Sequence, residues 1–487
     1  MGLLSSIGDF FQGVIGDIIG FLVGADFDEI EDQAKGTLVN KQSNIDPIPV
    51  VYGKRRVGGV RVFVSTGGSK KNEYLHIALV LCEGTIQAID EIYVNDKPHT
   101  HSDYSGLIDV QKKLGGDNQQ YATILSGADD TWGSNHRLRG VAYLAIRIKY
   151  DADVFGGIPE IQCVIRGKKV YDPRTGSTAY STNPALCLRD YLTNSRYGKG
   201  LPSSAINDTM FGAAATYYDN TTVSPYSGGS NINLIDCNAR LDTGKTIFNN
   251  VKELLQGMRG LLPYTEGQYG LIVDQATSST FSLTPDNITS DITVQNSGKG
   301  KRFNRVIAKF PNPETNWQND SVTFPASGSS DETTFLSEDN GEELIKNLNL
   351  NTITSIYQAR DIARIVCLAS RKNVNAVSLR ATSEALNIAV GDVVSLEHPS
   401  LGWTGASVQT MRVIATQLLN TGEVNLSLLE YNGSIYPFAQ GAEANDSPVT
   451  NLPDPFDIAS PATPLTPTEA VIIGPDGTYQ SAVTLTW

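Results

Sequence analysis

Two short stretches carry residue types that could do chemistry at a meaningful spacing. Ala239-Arg240-Leu241-Asp242-Thr243-Gly244-Lys245-Thr246 fits the (A/G)xxxxGK(S/T) pattern, in which backbone amides cradle phosphates, a lysine reaches the outer phosphates and a hydroxyl holds magnesium. Leu271-Ile272-Val273-Asp274 resembles the apolar strand whose terminal carboxylate completes such a metal site. Pro98-His99-Thr100-His101-Ser102-Asp103 sets two imidazoles two residues apart near a carboxylate, and on a strand both rings would face one metal. Lys54-Arg55-Arg56 and Lys70-Lys71 are the main basic clusters in the first half of the chain.

The elements that would position these groups argue against catalysis. A turn at Glu266-Gly267-Gln268 sets the Asp274 strand antiparallel to its predecessor, whereas phosphate-loop enzymes need parallel strands joined by long crossovers. Asp242 or Thr243 as N-cap of a helix over 242–257 accounts for the same residues. Two histidines and one carboxylate are too few for a metal site, so a solvated loop is expected. The five histidines include no HExxH pattern and none beside a GxSxG elbow. A cell-wall hydrolase stays open as an alternative, because carboxylate separations cannot be read from sequence. The basic clusters are short and not interleaved with aromatics, so solvated strand ends or loops are expected rather than a nucleic-acid patch.

A chain of 487 residues has room for roughly three or four domains. Charged residues are 18% and glycines number 45, which suits ordered β-rich structure better than disorder. Lys plus Arg are 38 and Asp plus Glu 52, a net charge of −14 that disfavours a grip on nucleic-acid phosphates. Five dispersed cysteines without a CxxC pair fit assembly in a reducing cytoplasm. The first lysine is Lys35, so no basic region opens an export signal.

Residues 2–24 read as an amphipathic helix, with Leu3, Leu4, Ile7, Phe10, Phe11, Val14, Ile15, Ile18, Ile19 and Leu22 recurring every three or four positions. Asp9 and Asp17 on the other face make a membrane span costly. That face has no Lys or Arg, so attraction to anionic lipid is missing. Six glycines weaken the helix by roughly 1 kcal/mol each, and it is expected to be ordered by protein: other copies, another subunit or this chain's own core.

Strand-like runs follow at 48–52, 61–65, 74–82, 87–94, 141–150 and 160–166. Residues 173–292 read as α+β. Asn183 and Pro184 start a helix running through Leu192, 231–238 forms a strand, 242–257 a helix, and 261–264 with 269–274 a hairpin. Strands resume at 305–310 and 321–324, a helix covers 354–371, and strands follow at 376–382, 393–398, 409–416 and 424–431. Residues 441–468 have linker composition, and 482–487 reads as a strand.

The run Asp46-Pro47-Ile48-Pro49-Val50-Val51-Tyr52-Gly53-Lys54-Arg55-Arg56-Val57-Gly58-Gly59 followed by NEYLHIALVLCEGTIQAIDEIYVND (72–96) resembles the opening of the tail tip attachment proteins, or protein J family, of lambda-like long-tailed bacteriophages. FGGIPEIQCVIRGKKVYDPRTG (155–176), STNPALCLRDYLTNSRYGKG (181–200), NARLDTGKTIFNNVKELLQGMRGLLPYTEGQYGLIVD (238–274) and NRVIAKFPNPETNW (304–317) agree in the family's order, across about residues 45–435.

The resemblance implies a non-enzymatic central hub, without cofactor, at the distal end of the virion's tail and assembled in the host cytoplasm. A homotrimer would close the tail tube, with two tube-like β-barrel domains per chain matching a sixfold tube to a threefold tip. It would meet tail tube or distal tail proteins, the tape-measure protein and other tip proteins, with phage DNA passing through the lumen without specific binding. The expected fold is multidomain and mainly β: a helix at 1–28, a first barrel at 29–172, an α+β domain at 173–292, a second barrel with one helix at 293–440, a linker at 441–468, and at 469–487 the first strand of a fibronectin type III domain. Receptor binding belongs to the family's C-terminal part, expected beyond Trp487. The helix at 2–24 departs from the lambda-type pattern; Leu3, Ile7, Phe10, Phe11, Val14, Ile15, Ile18 and Leu22 are its expected contact residues, toward other copies or the tape-measure protein, with transient host-membrane contact as the rival.

Overall fold

The computed structural model describes residues 40–42, 46–226, 229–296, 302–440 and 466–486. They are mainly β, with five α-helices among the described residues. The described residues between 40 and 440 form one compact unit, and those of 466–486 belong to a second.

Six long strands build the first β region: β1 (Gly59–Gly67), β2 (Tyr74–Glu83), β3 (Ile86–Val94), β4 (Ile108–Leu114), β5 (Val141–Lys149) and β6 (Ile161–Asp172). One sheet runs Asn40–Gln42, β1, β2, β5, β4, and the other Ser177–Tyr180, β6, β3, Lys97–Pro98, with Lys54–Val57 also on β6. The near-continuous apolar run of β2 is buried on both faces, as such runs require. Ile77, Leu79 and Leu81 pack toward β6, whereas Ala78 and Val80 meet Leu125, Trp132 and Tyr143. Gly59, at φ 154°, lets the chain cross from Lys54–Val57 into β1, where a Cβ would lie 2.7 Å from Val80 O. On the opposite side Lys112 of β4 donates to Ile89 O of β3 at 2.6 Å, drawing the sheet edges together. The strand β4 has no counterpart in the sequence reading, because its Asp, Gln and Lys residues leave only a half-buried face.

Helices α1 (Pro184–Thr193), α2 (Asp208–Asn220) and α3 (Ile247–Met258) surround the next core, with Leu188, Tyr191, Phe211, Tyr218 and Leu254 among its buried members. Asn183 caps α1 by accepting from Ala185 N at 3.1 Å, with Pro184 in the first turn, as its sequence requires. The helix expected from Asp242 instead starts at Ile247, because the Thr246 hydroxyl is the cap. The strand expected over 231–238 shrinks to Ile232–Asn233, paired with Thr222–Val223. The hairpin at Glu266-Gly267 forms, with Tyr264–Thr265 on Gln268–Tyr269 and Gly260–Leu261 on Ile272–Val273, all antiparallel.

The remaining elements are β7 (Arg305–Asn312), β8 (Gln318–Phe324), α4 (Ser330–Glu338), β9 (Ile345–Asn349), α5 (Ile356–Lys372), β10 (Asn375–Ala381), β11 (Val393–Leu396), β12 (Gln409–Leu418) and β13 (Val424–Glu430). A three-stranded sheet, β8-β7-β9, is covered by the apolar face of α5. A six-stranded sheet runs Phe281–Leu283, β11, β12, β13, β10, Thr293–Asn296. Its outermost strands are consecutive in sequence and joined by residues 284–292, pinned across one end where Thr289 N donates to Arg380 O at 2.9 Å. The expectation of one helix in 293–440 is corrected to two: α4, capped by Ser329, buries none of its residues and so leaves no apolar periodicity to read.

In the second unit Thr466–Ile473 pairs antiparallel with Tyr479–Thr486. Val471, Ile473, Tyr479 and Val483 are exposed on this hairpin.

Candidate functional site

The 239–246 segment folds around its own groups. Arg240–Leu241 pairs antiparallel with Val50–Val51. The Asp242 carboxylate accepts from Gly244 N at 2.8 Å, the Thr243 hydroxyl donates to Ile48 O at 2.9 Å, and the Thr246 hydroxyl caps α3. Lys245 forms an ion pair with Glu253 of α3, both side chains mostly buried. Asn250, fully buried, donates to Asp242 O at 2.9 Å and to the Tyr191 hydroxyl at 2.8 Å. The lysine and hydroxyl that a phosphate would recruit are therefore already engaged, and a phosphate at Lys245 would have to displace a carboxylate from a partly desolvated pair.

Asp274, the would-be magnesium ligand, is spent on a structural knot. It is 9% exposed and Arg412 is 4% exposed. The Asp274 carboxylate accepts from Arg412 and from the Tyr436 hydroxyl at 2.7 Å, while Asp274 N donates to Arg259 O at 2.8 Å. The Arg412 guanidinium also lies 4.7 Å from the centre of the Tyr431 ring, and the Tyr431 hydroxyl donates to Gln275 O at 2.7 Å. Burial opposes the Arg412 charge, yet Asp274 and the neighbouring phenols hold its pKa above the ordinary value. Burial and then Asp274 push the Tyr436 hydroxyl up as well. A second knot locks α3 to α5: Asp361 faces Arg259 at 3.6 Å and Arg364 at 3.1 Å, and the Gln358 amide donates to Gly257 O at 3.0 Å. Apart from Asp361 and Arg364, three residues apart on α5, these partners lie far apart in sequence, and no local spacing signals them.

The histidine pair sits in a turn rather than on a strand. His101 Nδ1 accepts from Asp103 N at 3.2 Å, His99 Nδ1 lies 3.3 Å from Ile92 O, and Asp103 pairs with Lys97 at 2.8 Å. Among the described residues no group of three or more His, Cys, Asp and Glu side chains is placed to hold a metal.

The expectation of a solvated Lys54-Arg55-Arg56 cluster is corrected. Arg55 and Arg56 are 6% and 3% exposed, because Lys54–Val57 is hydrogen-bonded along β6, with Arg55 opposite Ile165 and Arg56 opposite Val164. Arg56 pairs with Asp96 at 2.7 Å, its guanidinium 4.3 Å from the centre of the Tyr93 ring.

Leu3, Ile7, Phe10, Phe11, Val14, Ile15, Ile18 and Leu22 lie outside the described residues. No helix among the described residues is long and apolar enough to cross a membrane.

Residues 249–413, from α3 into β12, match a family model described as putative phage tail protein. The chain is 22% identical over 508 residues to the baseplate hub protein pb3 of Escherichia phage T5, covering 88% of this chain and 52% of that protein. It therefore spans about half the length of that curated relative. A chain from the virion of a native gene transfer agent particle superposes with a TM-score of 0.61 at 15% identity, covering 91% of this chain and 100% of that one. The chain resembles phage tail proteins of the baseplate-hub kind.

Proposed function

We propose that this protein is the structural hub at the distal end of a phage tail. Three copies form a ring that closes the tube. The strand-rich regions at 29–172 and 293–440 act as two barrel-like domains per chain, so that three chains present six such units to a sixfold tube. The observation that carries this reading is the alignment with a baseplate hub protein along 88% of the chain. The first β region supports it: the chain crosses from one sheet to the other at Gly59, and Lys112 links the two sheets by a hydrogen bond to Ile89, an arrangement close to a barrel. The net charge of −14 suits a conduit from which DNA phosphates are repelled and through which they slide. The exposed hairpin at 466–486 is read as the start of a fibronectin type III-like domain.

In the same reading the apolar face of residues 2–24 engages other copies or the tape-measure protein inside the tube. Particles produced without this chain should carry unfinished tails, and complementation with the intact chain should restore closed tips. Ile7→Asp with Val14→Asp should leave residues 46–440 folded yet block tail completion; normal tails from that double variant would remove the helix from the account. A synthetic 1–24 peptide that makes liposomes leak would favour membrane contact instead.

A further inference from the structure

Positive charge is scarce in this chain, with 38 Lys and Arg against 52 Asp and Glu, and it is unevenly placed. Residues 131–150 and 193–207 hold no Asp or Glu; Arg137 and Arg139 belong to the first run, Arg196 and Lys199 to the second. The fold joins the two runs at one end of the first β region. Gly84 N, in the turn from β2 to β3, donates to Gly140 O at 2.7 Å, and the Gln119 amide donates to Arg137 O at 3.0 Å. Arg196 fills the space beside Gly140, its Nη1 3.1 Å from where a Cβ would stand, and Lys168 of β6 fills the space beside Gly84, its Nζ 2.6 Å from such a Cβ. Arg196 pairs with Glu83 at 2.7 Å. Arg137 donates to Ser134 O and Lys168 lies over the Tyr197 ring; among the described residues neither has a carboxylate partner, nor do the exposed Arg139 and Lys199. Glu83, and Asp117 on the loop of Gln119, are the acids set against these five cations.

The second β region carries the opposite sign. Residues 331–343, which are most of α4 and the turn after it, contain Asp331, Glu332, Glu338, Asp339, Glu342 and Glu343 and no Lys or Arg. Arg302, Arg305 and Arg371 pair with four of the six. Asp331 and Glu342 are exposed and have no cation partner among the described residues. Packing gives α4 little reason to be there, since none of its residues is buried.

We propose that the basic end of the first β region docks on the acidic α4 surface of a second copy of this chain. The inference rests on the ring of copies proposed above, in which each chain brings two β regions and the first region of one copy neighbours the second region of the next. A closed ring of this kind uses two different surfaces of every chain, and those must be complementary; here they have opposite charge. The net charge of −14 does not decide the contact, because exposed charges more than about 8 Å apart are screened at physiological ionic strength while facing patches are not. The second copy is favoured over a nucleic acid because the complementary surface is present on this chain, on a helix that packs on nothing of its own.

The test follows the full chain by sedimentation velocity, with the exposed pairs Arg139→Glu with Lys199→Glu, and Asp331→Lys with Glu342→Lys, made separately and together. Wild-type copies should associate, and added sodium chloride should weaken the association. Each pair of reversals should weaken it at least about tenfold without changing the melting of the dilute chain, and the fourfold variant, whose two surfaces have exchanged sign, should regain most of the loss. Association equally strong in both double variants overturns the inference and leaves the ring standing. Loss in both without recovery in the fourfold variant overturns the pairing of these two surfaces. A wild type that never associates overturns the ring and with it the second copy as partner. Duplex DNA that binds the wild type and is released by the Arg139→Glu, Lys199→Glu variant, whose self-association is intact, assigns the basic surface to nucleic acid instead.

Discussion

Replacing Asp274 by Ala should loosen the junction between the helical core and the six-stranded sheet more than any other single carboxylate change in that region. The substitution strands Arg412 at 4% exposure, with its Nε already unpartnered, and takes from Tyr436 the acceptor its hydroxyl meets at 2.7 Å. Breaking one side of a buried pair costs about 3–5 kcal/mol. At roughly 1 °C per kcal/mol for a cooperative unit of this size, Tm should fall by roughly 3–5 °C. Asp274→Asn keeps an acceptor and should lose less. Asp274→Leu with Arg412→Met removes both charges and should recover most of the loss, leaving about 1–3 kcal/mol for the unpaired Tyr436 hydroxyl. Thermal melting by circular dichroism, run as a double-mutant cycle, separates these contributions. A loss below about 1 kcal/mol for Asp274→Ala, or a double variant as unstable as the sum of its singles, would refute the view that the pair ties the two regions.

Asp190 accepts from both Tyr52 and Tyr197, at 2.6 and 2.7 Å, so Asp190→Ala should cost about 2–5 kcal/mol by leaving two buried hydroxyls without an acceptor; chemical denaturation measures it, and a change within experimental error would contradict it. Burial, and next the Asp190 charge, push the Tyr52 hydroxyl up, and burial alone leads the upward shifts of Tyr218 and Tyr436. A folded-state pKa above the unfolded value of about 10 contributes stability below that pH and loses it as pH rises further, so Tm should drop progressively above about pH 10; a flat profile to about pH 11.5 would count against those buried hydroxyls. Lys245→Ala should cost roughly 1–3 kcal/mol by orphaning Glu253, and neither it nor the wild type should show a Mg-ATP-dependent rise in Tm; a saturable rise abolished by Lys245→Ala would reopen phosphate binding.

Elements whose residues announce their own packing were legible in the sequence. The β2 run is apolar on both faces, α1 carries Asn183 and Pro184 at its start, and α5 shows an apolar stripe from Ala359 to Cys367; all three appear close to their expected bounds. The elements that went unread lack that signal. Helix α2 buries two large side chains, Phe211 and Tyr218, with only Gly212, Ala214 and Ala215 between them, α4 buries nothing, and β4 spreads Asp, Gln and two lysines along a strand that ends its sheet. The phosphate-loop likeness fails for a physical reason that composition does not reveal: Lys245 is answered by a carboxylate eight residues on, and Thr246 is used as a cap. The burial of Arg55 and Arg56 was equally hidden, because it depends on β6, more than a hundred residues later in the chain.

The central claim is tested most directly by imaging filtered phage particles labelled with gold-tagged antibody to residues 46–440. The account predicts label confined to the distal end of the tail, exposed where needed by mild disruption of the tip. Label on capsids, or none on opened particles from lysates rich in the protein, would contradict it.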